Sequence, residues 1–330
     1  MLSKPPAART VFGGMKVSAW GIIGIVAVCL LLILAGVGSF LLDFTCGKRK
    51  VDDAWDPEYL RKRGLGSVAE GILAGKAWFD TQEKEELEIR SEDGLRLCAT
   101  FLPHPAARGT LLLFHGWRSS WKVDFGMALP FYHSLGLNPL LVDERAQGRS
   151  DGKYITYGVW ERRDLALWVG CMAGKLGKDA PLILGGLSMG AATVLMASEL
   201  DFDGDVRGII ADCGFTTPCA IIRHVAGKTK AIPLELSTML LNIFTRLFAH
   251  FGLKDAGAPE SLRKTKLPVL LIHGLADDFV PPEMSRENYA ACASEKELVL
   301  VEGAGHGMSY PVDPERVRER IRAFVDRRLA

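Results

Sequence analysis

The sequence predicts an α/β fold, in which a doubly wound, mostly parallel eight-stranded sheet follows one N-terminal transmembrane helix. Two observations carry this prediction. From residue 86 onward, short apolar runs alternate with longer helical stretches, and residues 17–42 contain no charged side chain. Continuous apolar runs are typical of strands buried on both faces of a parallel sheet. Such folds bind ligands in loops at the carboxyl ends of their strands.

Eight segments are the strand candidates. They are 87–91, 95–101, 109–115, 138–143, 180–186, 206–212, 267–274 and 297–303. The first two strands have no helix between them, so we expect an antiparallel hairpin that turns at 92–94. Helices are expected between and around the other strands. They are 57–63, 68–79, 125–136, 159–176, 188–200, 282–292 and 314–328.

The chain divides into four segments. They are an N-terminal tail (1–16), the transmembrane helix (17–42), a linker with lead-in helices (43–84) and an α/β domain (85–330). Residues 213–262 interrupt the alternation and predict a small helical cap. Apolar side chains at helical spacing in 233–252 predict a helix there. This helix either packs on the core, or acts as a lid that lines an acyl pocket and touches the bilayer.

The uncharged run is long enough to be a single-pass membrane anchor. At 1.5 Å per residue, a helix over 17–42 would be about 39 Å long, against a hydrocarbon core of ~30 Å. It exceeds the apolar core of a signal peptide, and it has no polar side such as a soluble helix would show. Basic residues after the run, such as Lys48 and Arg49, weakly favour a cytoplasmic catalytic domain. Anchors of this kind ordinarily point the other way, so the orientation stays open.

Composition excludes several kinds of partner. The 330 residues carry 40 Lys+Arg and 39 Asp+Glu, so no basic excess is present to neutralise nucleic-acid phosphates. The seven cysteines are scattered and form no C-x-x-C pair. We therefore expect mostly free thiols, with neither a metal site nor a dense disulfide framework. No cofactor is implied.

A candidate nucleophile lies in the segment GLSMG, at Ser188. This G-x-S-x-G pattern follows a predicted strand and precedes a helix-forming run, the context in which a strained turn presents a serine hydroxyl. A second match places Ser150 in the charged loop DERAQGRSDGKY, with no helix former after it. Context therefore favours Ser188.

A serine needs a base and an acid that orients the base, and both are expected after it in the chain. Our candidate base is His306, in the glycine-rich loop GAGHGM after the last strand. Our candidate acid is Asp277, directly after a strand, although spacing alone leaves Asp278 and Asp212 open. His273 and His115 are interpreted as structural, and His224 and His250 belong to the cap.

The oxyanion that develops during acyl transfer needs two N–H donors. One is expected from the main chain of Met189, next to the nucleophile. The other is expected from the loop after the third strand, where Trp117 is the best candidate by position.

The chain resembles the α/β-hydrolase superfamily. The matching segments over 86–330 are HGW (115–117), GLSMG (186–190), HGLADDFVP (273–281) and GAGH (303–306). Segment 143–158 resembles one in bacterial hydrolases related to acylaminoacyl peptidases and dienelactone hydrolases. The resemblance implies an α/β-hydrolase fold, a triad of Ser188, Asp277 and His306, and oxyanion donors at Trp117 and Met189.

These features predict a membrane-bound serine hydrolase that cleaves a carboxylic ester or thioester through an acyl-enzyme. Its expected partners are a small or lipid-like acyl substrate and the membrane itself. Two alternatives stay open. One is a serine peptidase or amidase of the same fold, and the other is a membrane-anchored binding protein without catalysis.

Overall fold

The computed structural model describes residues 19–49, 55–228 and 233–330. The predicted tail 1–16 and the first residues of the predicted anchor lie outside these ranges. The strands are β1 (Glu85–Arg90), β2 (Arg96–Phe101), β3 (Gly109–Phe114), β4 (Leu137–Asp143), β5 (Leu182–Leu187), β6 (Val206–Asp212), β7 (Val269–Gly274) and β8 (Lys296–Val301).

The helices alternate with these strands. They are α1 (Ala19–Cys46), α2 (Pro57–Lys62), α3 (Ala69–Asp80), α4 (Trp121–Asp124), α5 (Leu129–Ser134), α6 (Glu161–Leu176), α7 (Met189–Ala197), α8 (Pro218–Gly227), α9 (Leu234–Phe244), α10 (Ala258–Leu262), α11 (Pro282–Ala291), α12 (Ser309–Val312) and α13 (Pro314–Leu329). A 3₁₀ turn spans Gly66–Val68, and a π-helical turn, Thr245–Ala249, continues α9.

The eight strands form one sheet in the order β1-β2-β4-β3-β5-β6-β7-β8. The pairs β1–β2 and β2–β4 are antiparallel and all other pairs are parallel. The mostly parallel eight-stranded sheet and its first hairpin are therefore confirmed. The central strands are buried along their whole length, as their uninterrupted apolar sequences predict.

Helices cover both faces of the sheet. One face packs against the end of α1, α6, α7 and residues 213–262. The other packs against α2 to α5, α12 and α13. The lead-in helices of the predicted linker belong to this second layer, because Leu60, Ile72 and Phe79 are buried and Phe79 contacts the Trp121 ring. Segment 57–80 is thus part of the domain core.

Helix α1 is long and apolar enough to cross a membrane, and the mean hydropathy of an 18-residue window within Trp20–Cys46 is 2.9. Its last turn is fixed to the domain. Cys46 is buried and its carbonyl accepts from the Ile155 amide at 2.7 Å, while Gly47 pairs with Tyr154 in a β-bridge. The helix therefore continues into the α/β domain without a free linker over the described residues 43–49.

Residues 213–262 contain α8, α9, the π-helical turn and α10. The helix predicted over 233–252 is divided, and it ends at His250 in the left-handed conformation (φ 56°). Helix α9 packs along α1, where a side chain at Gly38 would collide with the Phe244 ring.

The charged segment after β4 is a structural junction. The buried Arg145 guanidinium donates to both carboxylate oxygens of Asp164, at 2.6 and 2.7 Å, and to Asp93 in the β1–β2 turn at 3.1 and 3.2 Å. This network satisfies a buried charge and holds the hairpin against α6. All seven cysteines are free, as predicted.

Candidate active site

The site is built around a strained turn at Ser188, between β5 and α7. Its φ of 55° and ψ of −110° are rare for a residue with a side chain. The flanking glycines permit this turn. A Cβ on Gly186 would lie 2.3 Å from the carbonyl carbon of Gly190, and one on Gly190 would lie 1.8 Å from the Phe114 carbonyl oxygen. The backbones thus approach so closely that only glycine fits, and the Ser188 side chain lines a cavity at the sheet edge.

Three side chains from different strand ends meet at this turn. His306 Nε2 lies 2.9 Å from Ser188 Oγ, and His306 Nδ1 lies 2.7 Å from Asp277 Oδ2. An ionised carboxylate only accepts hydrogen bonds, so Nδ1 carries the ring proton and Nε2 accepts from the serine hydroxyl. In this arrangement a histidine can remove the proton of a serine nucleophile.

The Asp277 carboxylate is held in its ionised form. Burial raises its pKa, but hydrogen bonds from His273 and His306 outweigh this effect and lower the pKa below its usual range. The amides of Phe279 and Val280 also donate to Oδ1, each at 2.9 Å. These donors orient the carboxylate, which in turn orients the His306 ring.

The other candidate acids do not hydrogen-bond to His306 within the described chain. Asp278 is exposed. The Asp212 carboxyl accepts from Ser309 Oγ at 3.0 Å, and burial raises its pKa to about 6. The geometry therefore places Asp277, and not its two rivals, beside the imidazole.

The second G-x-S-x-G match has a structural role. Ser150 is fully buried, and its hydroxyl donates to the Asp143 carbonyl at 2.5 Å and accepts from the Cys98 amide at 2.9 Å. His273 is also buried and bonds to Ser285 Oγ at 2.6 Å. Neither group is placed to activate Ser188.

The loop after β3 holds the Trp117 amide between two fixed neighbours. The Gly116 amide donates to Asp124 Oδ2 and the Arg118 amide donates to Gln147 Oε1, both at 2.6 Å. The Trp117 amide between them donates to no group among the described residues. Bracing on both sides leaves one preorganised N–H, which is what an oxyanion donor requires.

The Met189 amide is the first N–H of α7 and has no acceptor in the described part of the chain. The first N–H groups of a helix lack intrahelical partners, and they carry the positive end of the helix dipole. His115 fixes the loop that contains Trp117 through two hydrogen bonds. It is buried, its Nδ1 lies 2.9 Å from the Gly116 carbonyl, and its Nε2 accepts from the Glu144 amide at 3.4 Å.

The same loop holds the end of α1. The Trp117 indole N–H and the Tyr157 hydroxyl both donate to the Thr45 carbonyl, at 3.1 and 3.0 Å. The Arg118 guanidinium donates to three further carbonyls of this turn. They belong to Asp43, Phe44 and Gly47, at 3.3, 2.8 and 3.1 Å. The last carbonyls of a helix need such donors, so the loop after β3 caps the candidate membrane helix.

A cavity of about 400 Å³ opens beside Ser188 and His306. It lies between the sheet and the second helical layer, and its walls are mostly apolar. They include Ile72, Leu111, Leu113, Ile210, Ile272 and Ile321. No described residue of 213–262 lines this cavity, so α9 does not serve as the lid considered in the sequence analysis. Residues of segment 63–72 cover the cavity instead.

Sequence reasoning missed these walls and one carboxylate. Asp124 fixes the loop after β3 through Gly116 and Ser119. Asp124 stands alone in an apolar stretch with no motif around it. Only the three-dimensional approach of α4 to the β3 loop gives it a role.

One group of described residues has metal-ligand spacing. Ligand atoms of Cys213, Asp277 and His306 lie within 4.8 Å of one another. Burial raises the pKa of the Cys213 thiol well above its usual range, so it stays protonated and is a poor ligand. The other two residues already bond to each other, and the group fits hydrogen bonding better than metal binding.

The fold and the site define a hydrolase built on a mostly parallel sheet, with its reactive groups on the loops after the strands. A sequence model of the alpha/beta hydrolase family matches residues 111–320, and the chain belongs to this family. Protein YqkD of Bacillus subtilis is 25% identical over 251 residues, covering 75% of this chain and 81% of YqkD.

Alpha/beta hydrolase domain-containing protein 17B of Homo sapiens is 25% identical over 266 residues, covering 76% of this chain and 79% of that protein. Among solved structures, the esterase Pf2001 of Pyrococcus furiosus superposes with a TM-score of 0.63 at 23% identity. The match covers 86% of this chain and 98% of that one. Similarity at this level of identity shows the shared fold alone.

Proposed function

We propose that this hydrolase cleaves a carboxylic ester or thioester through an acyl-enzyme on Ser188. One observation carries the proposal: the hydrogen-bonded series from Ser188 Oγ through His306 to Asp277, at 2.9 and 2.7 Å. It lies beside the unpaired amides of Trp117 and Met189. A nucleophile, a base, an orienting acid and two oxyanion donors are the groups that acyl transfer requires.

The mechanism follows from these positions. His306 Nε2 accepts the Ser188 proton as Oγ attacks the acyl carbonyl, and Asp277 stabilises the imidazolium that forms. The amides of Trp117 and Met189 donate to the carbonyl oxygen as it gains charge. His306 then protonates the leaving alcohol or thiol. Water, activated by the same imidazole, attacks the acyl-enzyme and releases the carboxylic acid.

The cavity supports an acyl substrate. Its volume of about 400 Å³ is within the range of ~300–1,000 Å³ for small-molecule sites, and its walls suit a hydrocarbon chain. The carboxyl groups of Asp124 and Asp212 disfavour a chain that ends in an anion. A peptidase would need polar groups that bind a peptide main chain, and the apolar walls offer few, so the amide substrate is the second candidate.

Helix α1 supports a place at a membrane. It is 28 residues long, or about 42 Å at 1.5 Å per residue, which exceeds a hydrocarbon core of ~30 Å. Most of its residues from Trp20 to Phe44 are exposed although they are apolar, which water disfavours and lipid accommodates. We therefore assign α1 as a retained single-pass anchor and leave the side of the domain open.

A fluorophosphonate probe tests the nucleophile directly. Purified wild-type protein should be labelled, and Ser188→Ala should not. Ser150→Ala, which changes the other G-x-S-x-G serine, should keep its labelling in the fraction that stays folded. Wild-type protein that is folded by circular dichroism but unlabelled would refute the proposal and favour a binding protein.

The leaving group is tested with one acyl chain presented as an ester, a thioester and an amide. We expect ester and thioester turnover to exceed amide turnover. Removal of Ser188 or His306 should reduce kcat by about 10⁴–10⁶. Faster turnover of the amide would replace the esterase assignment with the amidase one.

A further inference from the structure

The cap helix presents an apolar face that neither the sheet nor the cavity uses. In α9 and the π-helical turn, this face consists of Leu236, Met239, Ile243, Leu247 and Phe248, and we call it the α9 stripe. The side chains are 39, 54, 42, 62 and 53% exposed. They follow helical spacing, so they lie on one side, while Leu240 and Leu241 are buried and Leu241 packs in the main core.

Two features fix the position of this stripe relative to α1. Helix α9 packs along α1, and the Phe244 ring lies so close to Gly38 that a Cβ there would be 2.2 Å away. The end of α1 is also bonded to Trp117, Arg118 and Tyr157 in the domain. The helix and the stripe therefore form one rigid surface.

The depth of the stripe in the membrane follows from the position of its contact along the apolar run of α1. Asp43 is the first charged residue after the apolar run, and Gly38 precedes it by five positions. At 1.5 Å per residue, Gly38 lies about 7.5 Å inside the end of that run. Amphipathic helices at membrane surfaces bury their apolar side about 5–10 Å into the boundary between headgroups and acyl chains. The contact with Gly38 places the end of α9 at this depth.

Two charged side chains at the margin of the stripe, Glu235 and Arg246, are paired. Glu235 forms an ion pair with Arg223, and Arg246 pairs with Asp255 at 2.7 Å. Paired charges at the margin of an apolar surface are compatible with the headgroup layer. Isolated charges deeper in the lipid would be costly. The surface next to α1 is therefore apolar at its centre, and Glu235 and Arg246 at its edge each have a counter-charge.

We propose that the α9 stripe is a second membrane contact, inserted into the same leaflet as the C-terminal half of α1. The occupant is the lipid bilayer, because the stripe continues the surface of a helix whose exposed Phe40 and Phe44 rings already need lipid. The inference rests on the proposed function of α1 as an anchor. The catalytic domain is then seated on the membrane in one orientation and does not swing on a flexible tether.

Photoactivatable lipid tests this contact in the full-length protein. The protein is reconstituted in phosphatidylcholine nanodiscs that contain a phospholipid with a diazirine on its acyl chain. After illumination, adducts are mapped by mass spectrometry. We expect adducts on α1 and on peptides within 233–249, and none on α13, which packs on the opposite face of the sheet.

A variant set sharpens the test. Met239→Ser, Leu247→Ser and Phe248→Ser together should remove most adducts from 233–249 and leave those on α1. Leu176→Ser, which changes an exposed apolar residue at the end of α6, should leave both sets intact. Because none of these side chains lines the cavity, hydrolysis of a soluble ester should be unchanged and reports that each variant is folded.

The outcomes separate the two proposals. Adducts on α1 without adducts on 233–249 would overturn the membrane contact of α9 and leave the anchor intact. Absence of adducts on both segments would overturn the anchor as well. Disulfide crosslinks between two copies that carry Leu247→Cys, at the expense of lipid adducts, would show that a second chain covers the stripe and would also overturn the proposal.

Discussion

The substitution Trp117→Phe separates the two functions of this residue. It keeps the main-chain N–H that we assign to the oxyanion, and it removes the indole N–H that holds the Thr45 carbonyl at 3.1 Å. That carbonyl keeps the Tyr157 hydroxyl at 3.0 Å, so no buried acceptor becomes unpaired. The net loss is then one hydrogen bond, about 0.5–1.5 kcal/mol.

If the indole hydrogen bond holds the oxyanion amide in place, its loss removes about 0.5–1.5 kcal/mol of transition-state stabilisation. At 1.36 kcal/mol per factor of ten, we expect kcat to fall about 2- to 12-fold. Complete loss of an oxyanion donor would lower kcat by a factor of about 10²–10³, which sets the upper limit for this variant. KM should change little because a phenyl ring keeps an apolar side chain at this position of the cavity wall.

The assay is steady-state hydrolysis of a soluble ester, together with the rate of inactivation by a fluorophosphonate. Trp160→Phe is the matched control, because its indole donates to the His250 carbonyl at 3.1 Å, away from the oxyanion loop. We expect Trp160→Phe to keep the wild-type kcat. Equal kcat in the two variants, or a change in KM alone at Trp117, would refute the link between the end of α1 and the oxyanion site.

Three further predictions follow from the geometry. Asp277→Asn should lower kcat by about 10⁴ because it favours the wrong imidazole tautomer, while Asp278→Asn should stay within about twofold of wild type in the same assay. Gly190→Ala should prevent folding or lower Tm sharply in thermal scans, because its Cβ would lie 1.8 Å from a main-chain oxygen of β3; Gly170→Ala, with open space around the new Cβ, should not. Burial raises the pKa of Asp212 from 3.8 to about 6, so the folded state binds this proton more tightly than the unfolded chain does. The protonated carboxyl therefore contributes stability that is complete below about pH 4 and is lost as the pH rises through about 6. Between about pH 4 and pH 6, the Tm of wild type should therefore fall more than the Tm of Asp212→Asn. Tm profiles that superimpose would contradict this reasoning.

Each predicted strand overlaps the observed one. The central strands β3, β4 and β7 are the plainest, because an uninterrupted apolar run that is buried on both faces leaves little choice of environment. The helix predicted over 125–136 is wrong in its bounds. Two short helices, Trp121–Asp124 and Leu129–Ser134, flank Gly126, where a Cβ would lie 2.2 Å from the Lys122 carbonyl oxygen. That contact lies within a turn that the apolar pattern does not encode.

The site, like the fold, is predictable from the sequence only where the information is local. Context favours Ser188 over Ser150 because a strand and a helix flank the first serine, which is local information. Spacing cannot separate Asp277 from Asp278, since the distinction depends on the Phe279 and Val280 amides that turn one carboxylate inward. The cavity walls are still less accessible to sequence reasoning. They arise where segment 63–72 folds back over β3 and β6, and nothing in the local pattern records that packing.

Under the proposed function, the contacts of Trp117 would connect catalysis with the membrane. A flexible tether would restrict the enzyme to a membrane and leave the geometry of the site independent of the anchor. Here the residue that offers the oxyanion amide also caps the helix that we assign to the bilayer, and its neighbour Arg118 holds three more carbonyls of the same turn. Thr45 is only two positions beyond Asp43, the first charge after the apolar run. With α1 as the proposed anchor, the bond from Trp117 to Thr45 would hold the cavity that Trp117 lines close to the bilayer end of that helix.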